Sequence, residues 1–104
     1  MAKAIAAQVK NPKKKSATQR ELLVTFKTAP GRAVFVAGTF NGWAPRERPM
    51  KETSAPGLYS AQLRLAPGLY EYKFVVDGAW VPDVENPQRT PDRLGGWNSV
   101  LSVV

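Results

Sequence analysis

Apolar residues recur in short runs along residues 20–104, and Gly, Pro, Asn and Asp separate these runs. Over 59–65 and 70–76 the apolar side chains occupy alternate positions, as in strands with one buried face. Further strands are predicted over 22–26, 33–37 and 99–104. Six or seven short antiparallel strands of this kind predict an all-β fold, an immunoglobulin-like β-sandwich.

The pair Asp77-Gly78 is a strong signal for a two-residue hairpin loop. With that loop, Val75 pairs with Trp80, and paired residues share a face of the sheet. If the alternate apolar residues of 70–76 face the core, Trp80 lies on the outer face, diagonal to Lys73. The spacing leaves two interpretations open. The pair forms a recognition surface, or Trp80 covers an edge of the sandwich while Lys73 extends over it.

The other two tryptophans also lie in segments rich in turn residues. Trp43 falls within 38–45, where it either plugs one end of the sandwich or forms a ligand platform, and Phe40 is the better inward anchor. Trp97 follows paired glycines in a predicted loop over 94–98. Grouped exposed tryptophans usually mark a recognition surface.

The predicted loop over 94–98 also holds Asn98. Its carboxamide donates and accepts hydrogen bonds at once, as recognition of hydroxyl groups requires. Capping of a turn is the commoner role for such an asparagine. The sequence alone leaves both roles open.

The net charge of +7 is concentrated at the start of the chain, where residues 1–20 carry six basic residues and no acidic one. We therefore predict a disordered, flexible basic arm over 1–19 and a folded domain over 20–104 that is close to neutral. A short lysine block gives only salt-sensitive contacts, so no specific nucleic-acid partner is expected.

The absence of His and Cys removes the commonest general base, the thiolate nucleophile and nearly all zinc chemistry. A binding module without catalytic residues, metal or cofactor is the expectation. Asp77 is assigned to a turn, and Asp83, Glu85 and Asp92 are interpreted as surface residues of a proline-rich segment. The apolar runs are too short to cross a bilayer, and no segment has the pattern of a secretory signal. A cytoplasmic location without a membrane partner is therefore predicted.

Three segments, 34–43, 68–80 and 94–100, occur in an order and spacing that resemble carbohydrate-binding module family 48. That family includes the glycogen-binding domain of the AMP-activated protein kinase beta subunit and the early-set domains of isoamylases and branching enzymes. The resemblance covers 21–104. It implies an early-set β-sandwich that binds α-glucan polysaccharide or maltooligosaccharide without catalysis. The alternative is a module that docks onto a glucan-active enzyme or kinase subunit without binding sugar.

The resemblance also implies a carbohydrate site. Trp43 and Trp80 match the tryptophans that stack on glucose rings, and Lys73 and Asn98 match the residues that hydrogen-bond to hydroxyl groups. Leu94 matches a loop leucine that packs against the sugar. Two positions depart from the family pattern. Gly96 stands where the kinase-type domain has a hydroxyl residue. Trp97 is bulkier than expected, and either adds a third platform or packs beneath the loop.

Overall fold

The computed structural model describes residues 19–104, and within them the chain forms two antiparallel sheets. The strands are β1 (Arg20–Lys27), β2 (Val34–Gly38), β3 (Lys51–Glu52), β4 (Leu58–Leu65), β5 (Gly68–Val76), β6 (Ala79–Val81), β7 (Arg89–Pro91) and β8 (Trp97–Val103). One turn of 3-10 helix, Thr39–Asn41, follows β2. One sheet has the order β1-β4-β3, and the other has the order β2-β5-β8-β7 with β6 paired to β5.

The alternating pattern places one face of each sheet in a common core. The buried apolar residues of this core are Leu22, Val24, Val34, Val36, Met50, Tyr59, Leu63, Tyr72, Phe74, Leu101 and Val103. The rings of Phe26 and Phe74 stack across the two sheets with their centroids 4.1 Å apart. The predicted all-β sandwich is confirmed, and Phe40 packs against the core as expected.

The hairpin between β5 and β6 has the predicted register. Asp77 and Gly78 both have positive φ, 50° and 87°, which matches the twist of a two-residue hairpin loop. Val75 therefore pairs with Trp80. The Asp77 carboxylate accepts the N–H of Ala33 at 3.1 Å. This bond, followed by the hydrogen bond from the Arg32 side chain, lowers the pKa of Asp77. The loop is thereby tied to the start of β2.

The proline-rich segment after β6 differs from the prediction, because Asp83 is buried rather than on the surface. The Tyr72 hydroxyl donates to the Asp83 carboxylate at 2.7 Å. Asn86 donates to Tyr72 Oη at 3.1 Å and to the carbonyl of Val100 at 2.9 Å. Burial, followed by the nearby Asp83 charge, raises the pKa of Tyr72. A buried phenol needs a hydrogen-bond partner, and this segment supplies it.

Two short strands were not predicted, β3 and β7. Strand β7 pairs with β8, with Thr90 opposite Asn98 and Pro91 opposite Trp97. Trp97 and Asn98 therefore belong to a strand and not to the predicted loop. A helix that could span a bilayer is not found among residues 19–104. The predicted basic arm over 1–19 lies, apart from its last residue, outside the described part of the chain.

Candidate functional site

A cleft of about 960 Å³ lies on the outer face of the five-stranded sheet. Five residues predicted for the site line it: Trp43, Lys73, Trp80, Leu94 and Asn98. Glu71 and Asp92, which the sequence did not single out as site residues, line it as well. Chain segments far apart in sequence thus meet at this cleft.

Trp43 is positioned by the turn after β2. Its N–H donates to the carbonyl of Gly38 at 2.9 Å, and its own φ is 61°, in the left-handed region. The Asn41 side chain accepts the N–H of Gly38 at 3.1 Å and closes the turn. Trp43 therefore does not plug the end of the sandwich but lies beside Trp80, with the ring centroids 6.2 Å apart and the planes inclined by 58°.

Trp80 stands on the outer face, as the hairpin register predicts. It pairs with Val75, which is only 3% exposed although it points away from the core, while Trp80 itself is 44% exposed. The two indoles of the cleft thus form an angled apolar surface.

Lys73 and Asp92 form an ion pair inside the cleft. Lys73 Nζ lies 2.7 Å from Asp92 Oδ2, and the two side chains are 15% and 7% exposed. Asp92 Oδ1 accepts the N–H groups of Leu94 and Gly96 at 2.8 and 2.9 Å. The Lys73 ammonium, then these two N–H groups, lower the pKa of Asp92 to about 2. The prediction that Asp92 is a simple surface residue was wrong. An Asp at the start of a Gly-rich loop was the available signal, because such side chains often accept N–H groups two residues on.

Asn98 lies in β8 and is 8% exposed. Glu71 pairs with Val100, so Glu71 and Asn98 share the outer face, and Asn98 Nδ2 donates to Glu71 Oε1 at 2.9 Å. This bond fixes the amide orientation. Among residues 19–104, the Oδ1 of Asn98 has no hydrogen-bond donor.

Leu94 projects from the rim loop, which we define as residues 92–96, and the residue is 89% exposed. The Asp92 N–H donates to the Gly96 carbonyl at 3.1 Å and closes this loop. Arg93 and Gly95 have positive φ, 71° and 95°. An apolar side chain exposed to this degree on a fixed loop is available to contact a ligand.

Trp97 is separated from the other five predicted residues. Because side chains alternate along a strand, Trp97 and Asn98 point to opposite faces of the sheet. Trp97 does not line the cleft. Its ring faces the Arg89 guanidinium, which lies 4.9 Å from the ring centroid, and it is 44% exposed. In the part of the chain that the structure describes, no group of three or more His, Cys, Asp or Glu could hold a metal ion.

The chain matches one family model over residues 21–104, that of the glycogen recognition site of AMP-activated protein kinase. The chain belongs to this family. The resemblance to carbohydrate-binding module family 48 is thereby confirmed. Because the family is defined by glycogen recognition, the domain over 21–104 is classed as a carbohydrate-binding module.

Several curated proteins are similar to the chain in sequence. The chain is 45% identical over 74 residues to FLOURY ENDOSPERM 6 of Oryza sativa, covering 71% of this chain and 13% of the rice protein. It is 39% identical to PTST homolog 2 of Arabidopsis thaliana, covering 68% of this chain and 12% of that protein. It is 34% identical to the AMP-activated protein kinase subunit beta-1 of Sus scrofa, covering 86% of this chain and 69% of the subunit. The chain thus spans about an eighth of the two plant relatives.

A solved structure with a similar fold agrees with the observed architecture. The enterobactin esterase FES of Shigella flexneri superposes with a TM-score of 0.62 at 15% identity, covering 88% of this chain and 31% of the esterase. At this identity the similarity concerns the fold of the matched segment alone.

The prediction of a cytoplasmic location is wrong on this comparison. FLOURY ENDOSPERM 6 and PTST homolog 2 are both named as chloroplastic proteins. Location is specified by targeting signals that receptors read and not by the fold of a binding module. The same module is therefore compatible with more than one compartment.

Proposed function

We propose that the chain binds α-glucan of the glycogen or starch type at the cleft, without catalysis. The observation that carries this proposal is the angled pair of indoles beside two hydrogen-bonding side chains. The centroids of Trp43 and Trp80 are 6.2 Å apart, and Lys73 and Asn98 line the same cleft. Glycogen recognition by the family supports the same ligand class.

The residues suit the chemistry of glucose. A glucose ring has an apolar C–H face, which an indole can cover, and a polar rim of hydroxyl groups. The Asn98 Oδ1 is free to accept from a hydroxyl, and Lys73 Nζ can donate to one. Leu94 would contact the sugar from the rim loop. The inclination of 58° between the two indoles favours a curved α-1,4-linked chain over a flat β-1,4-linked one.

The expected affinity for a short oligosaccharide is weak. Each hydrogen bond contributes a net ~0.5–1.5 kcal/mol, and the contacts lie at the surface. The dissociation constant for a single chain should then be roughly micromolar to millimolar. Attachment of several modules along one polymer would raise the apparent affinity.

Trp97 is not part of this proposed site, because it lies on the other face of β8 and contacts Arg89.

A second candidate function is protein docking. The match to subunit beta-1 of a kinase, which is one subunit of a larger enzyme, favours it. In that case the exposed aromatic residues would contact a glucan-active enzyme or kinase subunit in place of sugar.

Tryptophan fluorescence separates the two candidates. Titration with maltoheptaose or β-cyclodextrin should give a saturable change, because the ligand covers Trp43 and Trp80. A β-1,4-linked cellooligosaccharide of similar length is the control and should give none. If neither sugar changes the fluorescence, α-glucan binding is refuted for this chain and protein docking becomes the leading function.

A further inference from the structure

Asp92 lies at the junction between β7 and the rim loop, and one carboxylate there contacts three groups of the cleft. Oδ2 lies 2.7 Å from Lys73 Nζ. Oδ1 accepts the N–H groups of Leu94 and Gly96 at 2.8 and 2.9 Å. Strand β5 and the rim loop, which do not adjoin in sequence, are thereby linked through a single side chain that is 7% exposed.

Gly96, which has no side chain, leaves the space that the Asp92 carboxylate occupies. A Cβ added to Gly96 would lie 2.9 Å from Asp92 Oδ2, closer than real Cβ atoms approach an oxygen. Gly96 is not among the glycines with positive φ, so space and not backbone strain excludes a side chain there. The Asp92 carboxylate thus occupies the volume in which a longer residue at 96 would stand.

We propose that Asp92 is the positioning residue of the glucan site, holding both Lys73 and the rim loop in the arrangement that binds sugar. This role rests on the proposed function. Without the carboxylate, Lys73 would turn toward solvent, and the rim loop would lose the acceptor that fixes Leu94 and Gly96. Sugar binding would then have to order both groups, which costs affinity.

The test compares three variants of the full chain in calorimetric titrations with maltoheptaose. Asp92→Ala removes both contacts and should weaken binding about tenfold or more. Asp92→Asn keeps an oxygen for the loop N–H groups but loses the charge opposite Lys73, so its loss should be smaller. Glu21→Gln removes a surface ion pair on the other sheet, where Glu21 lies 2.8 Å from Arg64, and should leave affinity unchanged.

A double-mutant cycle adds a readout that a merely structural residue would not give. Gly96→Ala alone should weaken binding, because the new methyl group displaces the Asp92 carboxylate. In the Asp92→Ala background the same change should cost no further affinity, since the obstructing oxygen is gone. Amide exchange of Leu94 and Gly96, measured without sugar, should be slow in the unaltered chain and fast in Asp92→Ala.

The outcomes separate this role from the proposed function itself. If folded Asp92→Ala binds within about twofold of the unaltered chain while Trp80→Ala loses binding, the positioning role is overturned and the glucan site stands. The positioning role is also overturned if the affinity losses of Asp92→Ala and Gly96→Ala add up in the double variant. If the unaltered chain does not bind maltoheptaose, the proposed function and the positioning role both fail. Should Asp92→Ala not fold, Asp92→Asn and Gly96→Ala decide the question.

Discussion

Trp80 and Trp97 are the same residue type with the same exposure, 44% each, yet they stand on opposite faces of one sheet. Trp80 is placed by the hairpin register, opposite Val75. Trp97 is placed by its pairing with Pro91 at the edge strand. The two therefore form a natural matched pair for separating ligand contact from the general effect of losing an indole.

Trp80→Ala should lose at least tenfold of the affinity for maltoheptaose, about 1.4 kcal/mol, because it removes one of the two proposed platforms. Trp97→Ala should change affinity less than twofold, as its side chain does not line the cleft. Calorimetric titration of both variants checks this, with thermal unfolding to verify that each is folded. A larger effect from Trp97→Ala would move the site to the other face of β8.

At the scale of elements, the turn after β2 is built so that only glycine fits at its start. Gly38 has extended backbone angles, φ −173° and ψ −165°, so strain is not the reason. An added Cβ would collide with the carbonyl of Glu71 and lie within 3 Å of Phe40 and Tyr72 side-chain atoms. The close approach of this turn to β5 brings Trp43 to the cleft.

Gly38→Ala should therefore destabilise the fold by ~3 kcal/mol, because neither the β5 backbone nor the core can move aside. Gly31→Ala is the control. Its φ is 75° and nothing lies within 4 Å of an added Cβ, so only backbone strain of about 1–2 kcal/mol is expected. Urea unfolding measures both. Equal losses would show that the space around Gly38 can relax.

The elements that could be predicted from the sequence are those with a local sequence pattern. The period of two in β4 and β5 and the Asp77-Gly78 loop are local, and the observed strands and hairpin register agree with them. Strand β7 was missed because it has only three residues and depends on pairing with β8. The roles of Asp83 and Asp92 were missed for a similar reason, since their partners Tyr72 and Lys73 lie on β5, distant in sequence. Pairing across the fold is not visible in local patterns.

For the molecule as a whole, the lowered carboxyl pKa values predict acid destabilisation. The N–H of Gly57 lowers the pKa of Glu52 below its ordinary value, and the Lys73 ammonium lowers that of Asp92 to about 2. The pKa of Asp77 is lowered as well. The unfolded chain therefore binds more protons in acid, and stability is lost as pH falls below about 5.

Tyr72 has the opposite effect at alkaline pH. Burial raises its pKa above the ordinary 10, so above that pH the unfolded chain loses the phenolic proton first. The stability that this group contributes is present below pH 10 and is lost as pH rises further.

Urea unfolding across a pH series should therefore give a maximum between about pH 5 and 10. Tyr72→Phe should flatten the alkaline side, whereas Tyr70→Phe, whose hydroxyl bonds to an exposed carbonyl of Ala66, should not. Stability that rises from neutral pH toward acid would contradict the assignment of the carboxylates.

The contact between Trp43 and Trp80 has an optical consequence. Two indoles with centroids 6.2 Å apart and planes inclined by 58° are close enough for their electronic transitions to couple, and their arrangement is chiral. Such a pair should produce an exciton couplet in the circular dichroism spectrum, and this couplet should persist in Trp97→Ala, because Trp97 is not part of the pair. The molecule would then carry an intrinsic, label-free reporter of the geometry of its own cleft.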